Sequence, residues 1–382
     1  MRQHTQGVIL MSLKGEIDGV MDGVVNLVEL HDRIKGIAPL SALTRIAVAV
    51  YDPERDMLRT FIDSTMGECP LSHYVARLGD VPSLVALARA GGPRVVDDLK
   101  DYVGDSEHSR KLLDHGYRSS YTLPLMQGDA LQGFLFFNAA TPGFFTPERL
   151  SQLWPYAQIA RLIAVLELDK IRLIQAAVKT VRQISYHRDE ETGSHLERMS
   201  RYGRLIAEGL AEPYRLSDEY VEFLYRFSPL HDVGKVAIPD SILLKPGPLD
   251  APEYALMQAH VDKGRQIIDM MLKEFGMGQV PHIDMLHNIV AYHHECWDGS
   301  GYPYGLSGDQ IPLEARIAAV ADVFDALTSN RPYKKAWSNA EAFAYLRDMR
   351  GSKFDPACVE AMLQRAAEVE EIQAHFAETI HD

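Results

Sequence analysis

The chain is poor in cysteine. Cys69, Cys296 and Cys358 lie far apart, form no CxxC pair and offer no disulfide framework, which fits a reducing compartment. Also missing is any stretch approaching the ~18 uninterrupted apolar residues that a membrane helix requires. Near the N terminus Lys14, Glu16 and Asp18 interrupt the apolar residues, so no signal-peptide core is visible. These absences predict a cytoplasmic protein without membrane insertion. Positive charge is in deficit too: 39 Lys and Arg face 53 Asp and Glu, a net charge of −14. That balance argues against binding nucleic-acid duplexes, while leaving room for a local basic pocket that takes a small anion.

What is present is ordinary globular composition, 46% apolar and 24% charged over 382 residues, enough for two domains or more. Residues 1–155 mix strand and helix signals. Thr44–Tyr51 and Leu131–Asn138 are β-rich, and Gln127-Gly128-Asp129 reads as the hairpin turn between Tyr121–Met126 and the second of these. Helical periodicity falls at 15–32, at 73–90 and from Pro147 onward. Residues 156–186 read as a helical linker. Ile171, Ile174, Val178 and Val181 follow the 3-4 spacing of a short coiled coil there, which would join two copies as a parallel homodimer, and a helix packed on its own domain fits the same spacing equally well. Beyond Tyr186 helices are expected over 193–210, 217–230, 251–275, 281–295, 311–329, 338–349 and 355–377, punctuated by Gly and Pro. The expected fold is an α+β domain, an antiparallel sheet with flanking helices, joined by a long helix to an all-α bundle over 187–382.

The bundle carries the chemistry. His195, His231, His260, His293 and His294, with Glu191, Asp232 and Asp322, form a donor set suited to divalent metals and too large for one ion. A His-Asp dipeptide alone means little, since His31-Asp32 and His381-Asp382 occur as well and read as solvated polar residues. His231-Asp232 differs because Leu224, Phe227 and Leu230 place it at the buried end of a helix, where an unpaired carboxylate is costly. Glu191 and His195 share an i, i+4 face if helix geometry holds through Gly193, although such pairs are also common surface contacts. His260 taken alone reads as a satisfied core histidine on the helix 251–275. Adjacent imidazoles at His293 and His294 diverge, a geometry suited to two neighbouring metals. Asp325 reads as a supporting or capping carboxylate beside Asp322.

Taken in order, three blocks resemble the HD-GYP family of cyclic di-GMP phosphodiesterases. They are His231-Asp232-Val233-Gly234-Lys235, the run from His293-His294 to Gly301-Tyr302-Pro303, and Asp322 through Arg331-Pro332-Tyr333-Lys334. The resemblance implies that His195, His231, Asp232 and Asp322 hold the basic metal pair with Asp232 bridging. His260, His293 and His294 would complete the ligand set of the second metal, and Glu191 would admit a third ion. It further implies hydrolysis of cyclic di-GMP to pGpG, and on to GMP, by a metal-bridging hydroxide, with Asp232 and Lys235 catalytic. Tyr302, Arg331 and Lys334 would contact the nucleotide. Imidazole-rich donors favour Fe first and Mn second.

Over residues 1–155, the block Gly116–Leu125, the hairpin into Gly133–Phe137 and Phe144–Leu150 resemble a GAF domain. That likeness implies a regulatory sensor, but no residue set identifies its ligand. Two other classes fit parts of the sequence. One is a cyclic di-GMP-binding module that signals through partner proteins without turnover; the other is an HD-superfamily phosphohydrolase acting on mononucleotides, which leaves Tyr302, His260 and Arg331 without a purpose.

Overall fold

Apolar runs too continuous for a one-sided sheet mark its centre. In the computed structural model, which describes residues 26–53, 55–65, 74–101, 107–184, 193–274, 282–329 and 335–376, six antiparallel strands form one sheet. They are β1 (Leu43–Asp52), β2 (Met57–Asp63), β3 (Val75–Arg77), β4 (Arg94–Val96), β5 (Ser119–Gln127) and β6 (Ala130–Ala139), in the order β3-β2-β1-β6-β5-β4. β1 and β6 lie in the middle, and β6 is buried from Gly133 to Ala139 because both of its faces are covered. The expected hairpin is present, with Gln127 opposite Ala130 across Gly128 and Asp129. Pro124 sits within β5 without breaking the sheet. β4 pairs only with Ser120–Thr122, so no partner strand asks for an amide at position 124 on that side.

Periodicity over 73–90 conceals three elements, β3, a 3-10 turn at Leu78–Asp80 and the helix Pro82–Ala90, whose Leu84 and Leu87 pack with Leu58, Phe134 and Phe136. A cavity lies there, lined among others by Arg45, Thr60, Tyr74, Leu84 and Phe136. His31 corrects the sequence reading. On the helix Leu27–Lys35 it shares the inward face with Leu27, Leu30 and Ile34, and it is buried rather than solvated. Its Nε2 lies 3.1 Å from the Leu43 carbonyl and its Nδ1 2.8 Å from Ser64 Oγ. His381-Asp382 and Cys69 lie outside the described residues.

Contacts divide the chain into Met1–Leu168 and Asp169–Asp382, with the division inside one helix, Pro147–Ile184. Of the proposed coiled-coil seam Ile174 is buried, whereas the side chains of Ile171, Val178 and Val181 lie outside the described set. No helix among the described residues is long and apolar enough to cross a membrane.

The second unit is helical among its described residues, apart from two isolated bridges. Gly193–Tyr214 packs against Asp218–Phe227, Leu313–Thr328 and Pro356–Leu363. Small residues make the Leu313–Thr328 contact possible: Ala315, Ala318, Ala319 and Ala321 are all buried. Two expected helices are each broken in two. The stretch 251–275 becomes Ala251–Gln258 and His260–Glu274, and 355–377 becomes Pro356–Leu363 and Ala366–His375. At the first break the His260 ring takes the Met257 carbonyl at 2.7 Å, diverting an acceptor from the helix ladder.

Candidate metal centre

The helix Asp218–Phe227, capped by Ser217, runs into a tighter turn at Ser228–Leu230 and delivers His231 and Asp232 into the interior. Both are buried, as are Leu224, Phe227 and Leu230 beneath them. The following Val233–Ala237 turn lies against the start of the His260 helix. An added Cβ on Gly234 would stand 1.8 Å from the His260 carbonyl oxygen, so only glycine permits this approach. That contact brings His260 to Asp232.

Asp232 faces two groups of imidazoles. Its Oδ1 lies 3.2 Å from His260 Nε2 and 3.5 Å from His293 Nε2, while its Oδ2 lies 3.2 Å from His231 Nε2 and 2.8 Å from Lys235 Nζ. Around the first oxygen gather Asp232, His260, His293 and His294; beside the second are His195, His231 and Asp322, the donor atoms of each group lying within 4.8 Å of one another. Asp322 Oδ1 is 3.8 Å from the Nε2 of both His195 and His231.

The rings are fixed from behind. Nδ1 of His231 meets the Ser228 carbonyl at 2.9 Å, that of His260 the Met257 carbonyl at 2.7 Å, and that of His293 the Ile289 carbonyl at 2.9 Å. His195 Nδ1 instead meets Asp325 Oδ2 at 2.8 Å. With the proton on Nδ1, each Nε2 lone pair is directed inward, the tautomer that metal ligation needs. Buried Asp232 Oδ1, His260 Nε2 and His293 Nε2 find no hydrogen-bond partner among the described residues. Such orphaned acceptors are costly unless a cation collects them, so these residues fit divalent metals.

The electrostatics agree. Burial lowers the pKa of His293 and, helped by neighbouring His293, holds that of His294 well below the usual imidazole value, so both are neutral donors. Burial opposes ionisation of Asp232, yet Lys235 and His231 prevail and keep its carboxyl well below the ordinary range. Asp325 is likewise penalised by burial and rescued by bonds to His195 and Arg198, ending below the usual value.

Seven of the eight expected ligands therefore converge, and Glu191 lies outside the described residues, as do Arg331 and Lys334. The spacing-based reading that His293 and His294 diverge toward neighbouring metals is corrected, while the grouping that the resemblance implied agrees with the structure: their ring centroids are 4.1 Å apart and both belong to the Asp232–His260 group. The reason is that His293 ends the helix Ile283–Tyr292, and His294 has already left its regular turn. Tyr302 stacks on His294 at 4.7 Å, and an added Cβ on Gly301 would be 2.3 Å from the Cys296 amide nitrogen.

The sequence reading missed Glu295 and Arg198. Glu295 is buried and accepts from the amides of Tyr304 at 2.7 Å and Leu306 at 3.0 Å, tying down the loop that carries Tyr302. A carboxylate directly after paired histidines, ahead of a Gly-rich loop full of free amides, was the available signal. Arg198 grips both oxygens of Asp325, at 2.7 and 3.0 Å, and stands one helical turn after His195.

Residues 190–358, in the C-terminal half of the chain, match the HD domain family. Its relatives are more particular. The chain is 46% identical over 216 residues to the cyclic di-GMP phosphodiesterase response regulator RpfG of Xanthomonas campestris, covering 56% of this chain and 54% of that protein. It is 41% identical over 216 residues to the 3'3'-cGAMP-specific phosphodiesterase 2 of Vibrio cholerae, covering 55% of this chain and 39% of the relative. The match thus spans about half or less of these relatives' own lengths. Among solved structures, a GAF domain/HD domain protein from Geobacter sulfurreducens aligns at 16% identity and a TM-score of 0.29, covering 38% of this chain and 97% of that one.

Proposed function

We propose that the helical unit is a metal-dependent phosphodiesterase that opens cyclic di-GMP to pGpG, and continues to GMP. The observation that carries this reading is the division of Asp232, one oxygen toward His260 and His293 and the other toward His231. A carboxylate so placed suits two adjacent cations, and the relatives named cyclic di-GMP phosphodiesterases share this half of the chain. His195, His231, Asp322 and Asp232 would hold one ion, and Asp232, His260, His293 and His294 the other. Divalent ions held there would supply water activation and charge neutralisation at the phosphate. Imidazole-rich donors support Fe first and Mn second, and Glu191 a third ion.

Lys235, 2.8 Å from Asp232 Oδ2, is positioned to offset phosphate charge and to carry the proton that a leaving oxygen requires. Tyr302 walls the site beside His294, and Arg331 and Lys334 contribute cationic contacts to the nucleotide. The N-terminal unit acts as a GAF-like sensor of this activity in a cytoplasmic homodimer. A relative named for 3'3'-cGAMP makes that dinucleotide the second substrate to try.

The test is anaerobic purification, loading with Fe or Mn, and incubation with cyclic di-GMP, 3'3'-cGAMP and a mononucleotide panel. Chromatographic separation of pGpG from GMP and metal analysis give the readouts. Linear product from the wild type and none from His231→Ala is expected. Intact cyclic dinucleotides with both proteins sink the reading, and tight binding without turnover would replace it with a signalling module.

A further inference from the structure

The helix Ala251–Gln258 buries none of its eight residues. It is held at its N-terminal end instead. Asp250 and Glu253 form a reciprocal capping box, and Lys245 pairs with Glu253. From this weakly packed segment Tyr254 reaches the metal centre's rim with 49% of its surface exposed. Its ring centroid lies 6.3 Å from that of Tyr302, and the planes are 76° apart.

Tyr254 is the outer member of a file of rings. His293 and His294 are 4.1 Å apart, His294 stacks on Tyr302 at 4.7 Å, and Tyr254 follows. Tyr302 is already covered on one face by His294. Because the two tyrosine planes are nearly perpendicular, Tyr254 offers a plane of its own rather than extending that stack. Tyr304, also exposed, is engaged differently: its hydroxyl takes Arg265 and its ring packs on Tyr292 at 5.6 Å. A phosphodiester seated at Asp232 leaves its nucleobase outside the imidazole shell, where an uncovered aromatic face is most useful.

We infer that Tyr254 is a substrate-binding residue that stacks on a purine base of the cyclic dinucleotide, a role that rests on the function proposed above. Stacking reads the π face that every base has, so it supports affinity without choosing guanine over adenine. Choice between cyclic di-GMP and 3'3'-cGAMP therefore lies elsewhere in the site.

The experiment uses the metal-loaded full chain as wild type, Tyr254→Ala and Tyr254→Phe. KM and kcat are measured for both dinucleotides, alongside equilibrium binding of cyclic di-GMP, metal content and melting temperature. Tyr254→Ala is expected to raise KM and Kd about tenfold for both ligands, equivalent to about 1.4 kcal/mol. Its kcat, metal content and melting should hold, and Tyr254→Phe should restore wild-type binding because the ring is kept. An active wild type with unchanged KM and Kd in Tyr254→Ala overturns this inference alone, as does Tyr254→Phe behaving like Tyr254→Ala. A wild type that neither binds nor opens either dinucleotide overturns the proposed function and the stacking role together.

Discussion

His195 is held from behind by Asp325, with Nδ1 to Oδ2 at 2.8 Å, while Asp322 stands 3.8 Å from its Nε2. The two carboxylates are three residues apart on the helix Leu313–Thr328, so one helical face both orients the ring and contributes a donor beside it.

Asp325→Asn should therefore loosen metal at the His195 group. The amide replaces one of the two acceptor oxygens by an NH2 group, which then confronts a donor, Arg198 Nε on one side or His195 Nδ1 and Arg198 Nη2 on the other. Loss of such an outer partner costs about 10–100-fold in metal affinity. Competition against a chelating indicator measures it. Asp325→Ala should be worse for the fold, because the buried Arg198 guanidinium loses its carboxylate, at a cost of about 3–5 kcal/mol. Wild-type affinity in Asp325→Asn would remove the orienting role.

Gly234→Ala should separate the two halves of the centre. The new methyl would overlap the His260 carbonyl, and backbone on both sides leaves nothing flexible to yield. Expected destabilisation is about 1–3 kcal/mol, the range for overpacking, with loss of the ion shared by Asp232 and His260. Urea denaturation and metal stoichiometry report the two effects. A fully loaded variant of normal stability would contradict the close approach.

The histidines were legible because donor types and chain order survive without coordinates, and the resemblance already grouped His260, His293 and His294 as the structure does. Helical spacing alone did not give that grouping, since it depends on where helices stop. His293 and His294 read as divergent only if the helix continues through both, and it ends at Tyr292. The break before His260 was equally hidden, as a ring bonding to Met257 leaves no trace in periodicity. His31 shows the opposite difficulty. A dipeptide dismissed as solvated shares an inward face with Leu27, Leu30 and Ile34, which the helical spacing did offer. In the sheet, strands β2, β3 and β4 escaped notice because short or half-exposed strands carry little alternation.

Glu295→Ala should free the loop that carries Tyr302. The amides of Tyr304 and Leu306 lose a buried charged acceptor, each such bond being worth about 1.5–3 kcal/mol. Hydrogen exchange at those two amides should accelerate, and KM for a cyclic dinucleotide should rise more than kcat falls. Unchanged protection at both amides would show that the loop is held by other contacts.

Metal removal should separate Asp232 from its neighbours. Ligands that bind only the folded state stabilise it by about 2.7 kcal/mol at a hundred times their dissociation constant, so chelation should lower melting by about 5 °C. Because Asp232 faces both groups, Asp232→Ala should deplete both ions and erase the chelator's effect on melting. His260→Ala removes a donor from one group only and should retain an ion at His195, His231 and Asp322, keeping part of the chelator-sensitive increment. Metal analysis beside paired melting curves tests the distinction. Equal losses in the two variants would mean that the groups fill as one unit, and a chelator-insensitive wild type would deny resident metals a stabilising role.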